Sequence, residues 1–196
     1  MQKHLVLFIA LFIGFSSIAQ VNLDSLWNVW NDKTQADTSR LRAMNKIAWD
    51  GYLFSQPDSA FYFAQMKYDF AKSVNNKKWM ASALNTQGVS CYFRGDYAKA
   101  IDYYTKSLQI KEEIGNKNGI ADSYNNIGNV YINQGDYTKA IDYYTRSLKI
   151  KEELGEKKGI ALSLHNIGGV YIDQGDYAKA IDYFSRSLKI DEELGN

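Results

Sequence analysis

Between Ala121 and Gln134 the residues Tyr124, Ile127, Gly128 and Tyr131 follow one another at steps of three and four, a spacing that gathers apolar and small side chains on one face of a helix. The stretch that follows places Ala140, Ile141, Tyr144, Leu148 and Leu154 on an inner side in the same way, with charged and hydroxyl residues filling most positions between them. Gly135-Asp136 separates the two patterns. A glycine there can take the left-handed backbone conformation that ends one helix, and an aspartate can cap the next. Each unit is therefore predicted to be a pair of helices, the first from about Ala121 to Gln134 and the second ending near Gly155.

The pair recurs. GDYAKAIDYYTKSLQI from Gly95 returns as GDYTKAIDYYTRSLKI from Gly135 and as GDYAKAIDYFSRSLKI from Gly175. Residues 81–120, 121–160 and 161–196 align beneath one another without a gap, and 41–80 fits the same register as a worn first copy, with Ala60 under Ala100. A fixed period of two-helix units predicts an all-α, right-handed superhelical solenoid in which each unit touches only its neighbours. Such an array offers a long curved surface and no enclosed catalytic pocket. Gly88, Gly128 and Gly168 lie mid-helix, where glycine costs up to about 1 kcal/mol against alanine, so their recurrence implies a close helix approach, expected to be met by Ala100, Ala140 and Ala180. Asp102 with Lys106, Asp142 with Arg146 and Asp182 with Arg186 stand four apart on the outer side and support the second helices from solvent. The Glu pairs 112–113, 152–153 and 192–193 read as solvated, because nothing around them points to the burial that splits carboxylate pKa values.

Residues 20–40 form an N-terminal capping helix and linker. Asn22 is placed to cap a helix bearing Leu23, Leu26, Trp27 and Trp30, and Asp37 to cap the helix carrying Leu41, Met44 and Ile47. At the other end Gly195-Asn196 falls where a further first helix would begin, so the array is expected either to continue in a longer product or to be covered by a partner.

Composition adds a compartment. Lys3 and His4 precede the apolar run Leu5 to Phe15, and Ser17-Ile18-Ala19 follows, the order of a secretory signal peptide over residues 1–19 cleaved after Ala19. The run is shorter than the roughly 20 apolar residues of a spanning helix, so no membrane insertion is expected after cleavage, and the product is expected to be periplasmic or secreted. Losing Lys3 takes Lys plus Arg from 23 to 22, level with the 22 Asp plus Glu. Basic and acidic residues are interleaved throughout, which excludes a nucleic-acid binder with a basic stripe. The single cysteine, Cys91, stands where Tyr131 and Tyr171 stand in later copies and is read as a small buried side chain; intermolecular pairing is the other use of such a thiol.

Tyr124-x2-Ile127-Gly128-x2-Tyr131, followed by Ala140 and Tyr144, resembles the tetratricopeptide repeat signature W-x2-L-G-x2-Y…A-x3-F, and Leu164, Ile167, Gly168, Tyr171, Ala180 and Phe184 match it too. The copy 81–120 departs from it at Gln87 and Cys91. At 40 residues the unit is longer than the usual one of about 34 and is closer to the long variants of kinesin light chains, which share the Asn-Asn-apolar element seen here as Asn125-Asn126-Ile127. The leader and the residues after it also resemble the extracytoplasmic region of tetratricopeptide proteins from Bacteroidetes-type bacteria. There the array often precedes a membrane helix and a nucleotide cyclase or histidine kinase. The resemblance implies a non-enzymatic scaffold that binds a protein or peptide segment in a concave groove, with a sensory module of such a signalling protein, or an envelope assembly scaffold, as alternatives.

In arrays of that family the first helices line the concave face. Helical spacing then selects Asn85, Val89, Tyr92 and Phe93 in one copy, Asp122, Asn125, Asn129, Ile132 and Asn133 in the next, and His165, Gly169, Ile172 and Asp173 in the last. Amides offer both donor and acceptor to an extended backbone. The resemblance implies that Asn126 and Asn166 hold ligand main chain; the alternative is that they bridge neighbouring helices. Tyr92, Phe93 and Ile132 are the apolar anchors that a few kcal/mol of amide contacts would need beside them. The family's carboxylate clamp uses lysines and an arginine, and Asn85, Asn125 and His165 hold those places, so no clamp is expected. Removal of the leader leaves His165 as the only histidine, and no GxxxxGK[ST] or HExxH segment is present. Neither catalytic residues, a metal nor a cofactor is expected, and His165 reads as a surface polar group.

Overall fold

The computed structural model describes residues 22–195; the leader expected over residues 1–19 lies outside them. Among the described residues the order is α1 (Leu23–Asn31), α2 (Asp37–Lys46) running into a π-helical segment (Ile47–Tyr52), α3 (Pro57–Ser73), α4 (Lys77–Phe93), α5 (Tyr97–Glu113), α6 (Lys117–Asn133), α7 (Tyr137–Glu153), α8 (Lys157–Asp173) and α9 (Tyr177–Leu194). The described residues hold no strand. Each helix from α3 onward packs chiefly on the helices before and after it in the chain, the arrangement of a solenoid.

Local chemistry sets the punctuation. Gly95, Gly135 and Gly175 adopt φ of 75°, 73° and 77°, the left-handed region that an L side chain rarely enters, and so end the first helix of each pair. Asp96, Asp136 and Asp176 cap the second helices by accepting from the amides of Lys99, Lys139 and Lys179. The first helices begin four residues before the apolar spacing does, because Asn76 and Asn116 cap α4 and α6 through the amides of Trp79 and Gly119. At the N-terminus Asn22 caps α1 as its position indicates, but Asp37 does not cap α2. Ala36 occupies the cap without a side-chain bond, and Asp37 lies in the first turn, where its charge complements the helix dipole.

The inner faces form one core cluster per junction. Tyr144 and Leu148 of α7 join Leu164, Ile167 and Val170 of α8, while Tyr104 of α5 joins Ile127 and Val130 of α6. Leu154 is not part of this, being 40% exposed, since α7 ends at Glu153 and leaves it at the C-cap. Lys151 takes the inner place instead and lays its aliphatic stem across Gly159. The close approach at the mid-helix glycines is made by aromatic rings and not by the alanines. A Cβ on Gly128 would stand 2.6 Å from the Tyr144 ring, and Gly88 and Gly168 face Tyr104 and Phe184 in the same way. Cys91 is fully buried.

Charge pairs follow the period. Asp102–Lys106, Asp142–Arg146 and Asp182–Arg186 form along the outer sides. Lys77–Glu113, Lys117–Glu153 and Lys157–Glu193 tie the start of a first helix to the end of its partner. These pairs are exposed and contribute well under about 1 kcal/mol each.

Candidate functional site

The first helices α4, α6 and α8 carry most of the residues singled out by spacing, and their asparagines meet each other. The Asn126 side-chain amide donates to Asn85 Oδ1 at 3.1 Å, and that of Asn166 donates to Asn125 Oδ1 at 2.7 Å. Both rungs join residues 41 apart and so cross from one unit to the next. Each amide retains hydrogen-bonding capacity after making one such bond, and all four side chains are only partly buried.

The unit before them completes the row by another route. Asn45 and Thr86 hold the corresponding places, and Thr86 is too short to make an amide rung. The gap is filled by Lys67, whose ammonium reaches Asn45 Oδ1 at 2.7 Å, Ser82 Oγ at 3.2 Å and Thr86 Oγ1 at 3.3 Å. Lys67 stands where Ser107, Ser147 and Ser187 stand in later units, and it is fully buried. Burial among neutral oxygens pushes its pKa down to about 7.

Beyond the Asn125–Asn166 rung, α6, α7 and α8 enclose a depression of about 300 Å³ lined by Asp122, Asn125, Asn126, Lys151, Glu156 and Leu162, among others. Lys151 forms its floor. The ammonium lies 2.5 Å from Glu156 and 3.0 Å from Asp122, with Asn118 Oδ1 at 3.2 Å. Burial alone would lower its pKa, but the hydrogen bonds it donates to Glu156 and Asp122 outweigh that and hold it above the ordinary lysine range. Lys111, one unit earlier, bonds Ser123 Oγ at 2.8 Å, and burial brings its pKa down to about 8. Glu156 occupies the cap position held by Asn76 and Asn116, yet it turns its carboxylate to Lys151 and makes no cap bond.

The remaining predicted residues divide. Asn133 donates to the Tyr92 hydroxyl at 2.8 Å, again across 41 residues. Asn129 accepts from the Tyr144 hydroxyl at 2.6 Å, so it supports the ring that fills the Gly128 gap. Ile132 packs against the α7–α8 core cluster. Phe93 is exposed and meets Phe54, itself 72% exposed, at a ring separation of 5.4 Å. Phe54 stands two residues past the π-helical segment, in the worn unit, where no recurring motif marks it. His165 is exposed and lies 5.1 Å from the Phe184 ring, and Asp173 is exposed. Lys151, Glu156 and Ser147 also escaped the spacing argument, which treats lysine on a second helix as outward-facing.

The arrangement suits recognition. Amides, hydroxyls and one ammonium–carboxylate cluster face a row of partly exposed positions, and an aromatic pair stands apart from them. Among the described residues no group of three His, Cys, Asp or Glu side chains is placed to hold a metal ion.

The family profile of the tetratricopeptide repeat matches residues 79–153 and 119–193. No curated protein sequence matches the chain. Among solved structures, BtubC (BKLC) from P. vanneervenii is 19% identical with a TM-score of 0.72, over 88% of this chain and 71% of that one. Aspartyl phosphate phosphatase F from Bacillus subtilis is 18% identical with a TM-score of 0.76, over 83% of this chain and 43% of its own. A Rap protein complexed with Competence and Sporulation Factor is 18% identical with a TM-score of 0.78, over 89% of this chain and 49% of its own. At these identities the likeness is one of fold.

Proposed function

Because the chain belongs to the tetratricopeptide repeat family, matched from residue 79 to residue 193, we propose that it is a non-enzymatic scaffold whose first helices form a concave groove for an extended protein or peptide segment. The observation that carries this reading is the row of partly exposed amides from Asn85 to Asn166, beside the depression lined by Lys151. A peptide backbone presents donors and acceptors in alternation, and partly exposed asparagines with unused capacity match both. Phe54 and Phe93 supply the apolar anchor without which a few amide contacts, at about 1 kcal/mol net each, give only weak binding. That a Rap protein of this fold has been seen complexed with a separate factor supports the same reading.

The leader, with its Ser17-Ile18-Ala19 cleavage pattern, supports delivery to the periplasm or beyond. Together with the resemblance of the residues after it to extracytoplasmic sensory regions, it favours a second reading, in which the array senses a ligand for a membrane-bound cyclase or histidine kinase. Role as an envelope assembly scaffold uses the same groove. The readings part on the gene: a sensory module requires an apolar stretch of about 20 residues encoded downstream.

Panning a peptide display library against the purified chain tests the groove. Enriched peptides are expected to lose affinity for Phe93→Ala and for the pair Asn126→Ala with Asn166→Ala, with helical circular dichroism unchanged. Absence of enrichment, or equal binding by folded variants, refutes the groove.

A further inference from the structure

The depression between α6, α7 and α8 breaks the period of the array in its charges. Lys151 has a counterpart one unit earlier in Lys111, but Asp122 and Glu156 have none, since Ser82 and Asn116 hold those places. At the earlier junction Lys111 bonds the neutral hydroxyl of Ser123, and Asn116 caps α6 through the Gly119 amide. At the later one two carboxylates converge on a single ammonium, and Glu156 turns to it instead of capping α8. One negative charge is left over beside Lys151.

The hydrogen bonds leave acceptors open there. An ammonium has three donors, and Lys151 spends them on Asp122, Glu156 and Asn118. Those contacts use Asp122 Oδ1 and Glu156 Oε2, so Asp122 Oδ2 and Glu156 Oε1 make no hydrogen bond or ion pair among the described residues. Asn126 donates to Asn85, and its own Oδ1 accepts nothing from the described residues. Ser147 adds a buried group of the same kind. Its counterparts Ser107 and Ser187 donate to the Ala81 and Ala161 carbonyls, whereas Ser147 makes no hydrogen bond among the described residues, although it is only 2% exposed, and lines the depression. A buried hydroxyl without a partner is costly, which marks the place a ligand group would fill.

We propose that this depression is the subsite for one arginine side chain of the segment bound in the groove, a proposal that rests on the groove reading above. The guanidinium meets the open oxygens of Asp122, Glu156 and Ser147, and its methylene stem lies along Leu162, which is 54% exposed in the lining. Arginine fits better than lysine because a planar fork of five donors serves acceptors on several sides, where an ammonium has three. A ligand carboxylate fits worse, since it would face two carboxylates with the protons of Lys151 already spent. Lys158, the other cation of the lining, is exposed and forms no ion pair among the described residues, so it is free to yield to the guanidinium. The amide rungs repeat from unit to unit and the acid pair does not. The arginine therefore sets the register of the segment.

The test has two arms, both on the full chain. In the first, N-acetylarginine N-methylamide is titrated while the Leu162 methyl signals are followed by 13C NMR; a saturable shift is expected, and none with the citrulline analogue, which has the same shape without the charge. In the second, peptides enriched by panning are resynthesised with each arginine replaced by citrulline. At one shared position citrulline is expected to weaken binding by about tenfold or more, the loss of a charge-assisted contact. Asp122→Asn should shrink that ratio severalfold, and Lys158→Glu should widen it. Both positions are exposed and Glu156 still pairs Lys151, so the variants keep their helical circular dichroism. Enriched peptides without a shared arginine, or a ratio that neither variant moves, overturn the subsite and leave the groove standing. Peptides that bind no tighter than the small amide overturn the assignment to a segment and make a free guanidino compound the occupant. No enrichment at all overturns the groove, and the Leu162 response then decides alone whether the depression takes a guanidinium.

Discussion

Gly128→Ala puts the stacking to a quantitative test. In a helix interior the added methyl normally stabilises by about 1 kcal/mol. Here the new Cβ would stand 2.6 and 2.8 Å from two carbons of the Tyr144 ring, contacts that a folded core does not tolerate without movement. The ring cannot swing aside freely, because it is buried and its hydroxyl is tied to Asn129 at 2.6 Å. Overpacking of this kind costs about 1–3 kcal/mol, and breaking the hydroxyl bond adds about 1 kcal/mol. The net is a loss of about 1–3 kcal/mol, or roughly 2–4 °C in melting temperature for each kcal/mol in a chain of this length. Gly169→Ala is the control: it sits in the same helical environment with nothing within 4 Å of its Cβ, so it should gain about 0.5–1 kcal/mol. Urea titrations followed by circular dichroism measure both, with the slope checked for loss of two-state behaviour along the array. Should Gly128→Ala stabilise the protein as much as Gly169→Ala does, the tyrosine-into-glycine packing is wrong.

The other expectations are shorter. Because Lys67 is neutral in the folded chain above about pH 7 but holds its proton to about 10.5 when unfolded, stability should rise with pH across that window, by up to about 1.4 kcal/mol per unit. Lys67→Met should flatten that rise in urea titrations at pH 7, 8 and 9, and an unaltered slope would contradict the burial. Gln87 is fully buried with Oε1 lacking a partner among the described residues, where later units have Ile127 and Ile167. Gln87→Ile should therefore raise the urea midpoint by the equivalent of about 1 kcal/mol. Glu153→Ala removes only the exposed contact with Lys117 and should shift stability by less than about 0.5 kcal/mol. Burial raises the pKa of the Cys91 thiol, so native protein should resist a thiol reagent that labels it fully in denaturant.

Much of the fold could be read from the chain because its punctuation is local. A glycine that must adopt positive φ and an aspartate that must accept an amide both announce themselves at Gly135-Asp136. The apolar spacing after them then fixes which face of α7 turns inward. Bridging of neighbouring helices is one of the two uses that the sequence allows Asn126 and Asn166, and both make such a bridge. Their partners lie beyond a single unit: Asn126 reaches Asn85 and Asn166 reaches Asn125 across a 41-residue separation, which no helical wheel drawn on one unit displays. Lys67, Lys111 and Lys151 bury their stems and find oxygens at the tip, and a polar-outside rule misplaces such side chains. The caps Asn76 and Asn116 stand several residues before the first apolar positions of the spacing, so α4 and α6 begin earlier than those positions mark. The glycine gaps were correctly read as close approach, but their occupant is the aromatic four residues beyond the alanine, a distinction that depends on side-chain length and not on spacing.

The rungs joining residues 41 apart carry a genetic corollary. Excising the codons for residues 117–156 would splice Asn116 onto Lys157 in frame and bring Asn166 opposite Asn85, restoring the same amide contact with different members. Unequal crossing-over within such a gene thus lengthens or trims the protein by whole helical pairs while every new junction is chemically familiar, and the reach of its binding surface can change in a single recombination event.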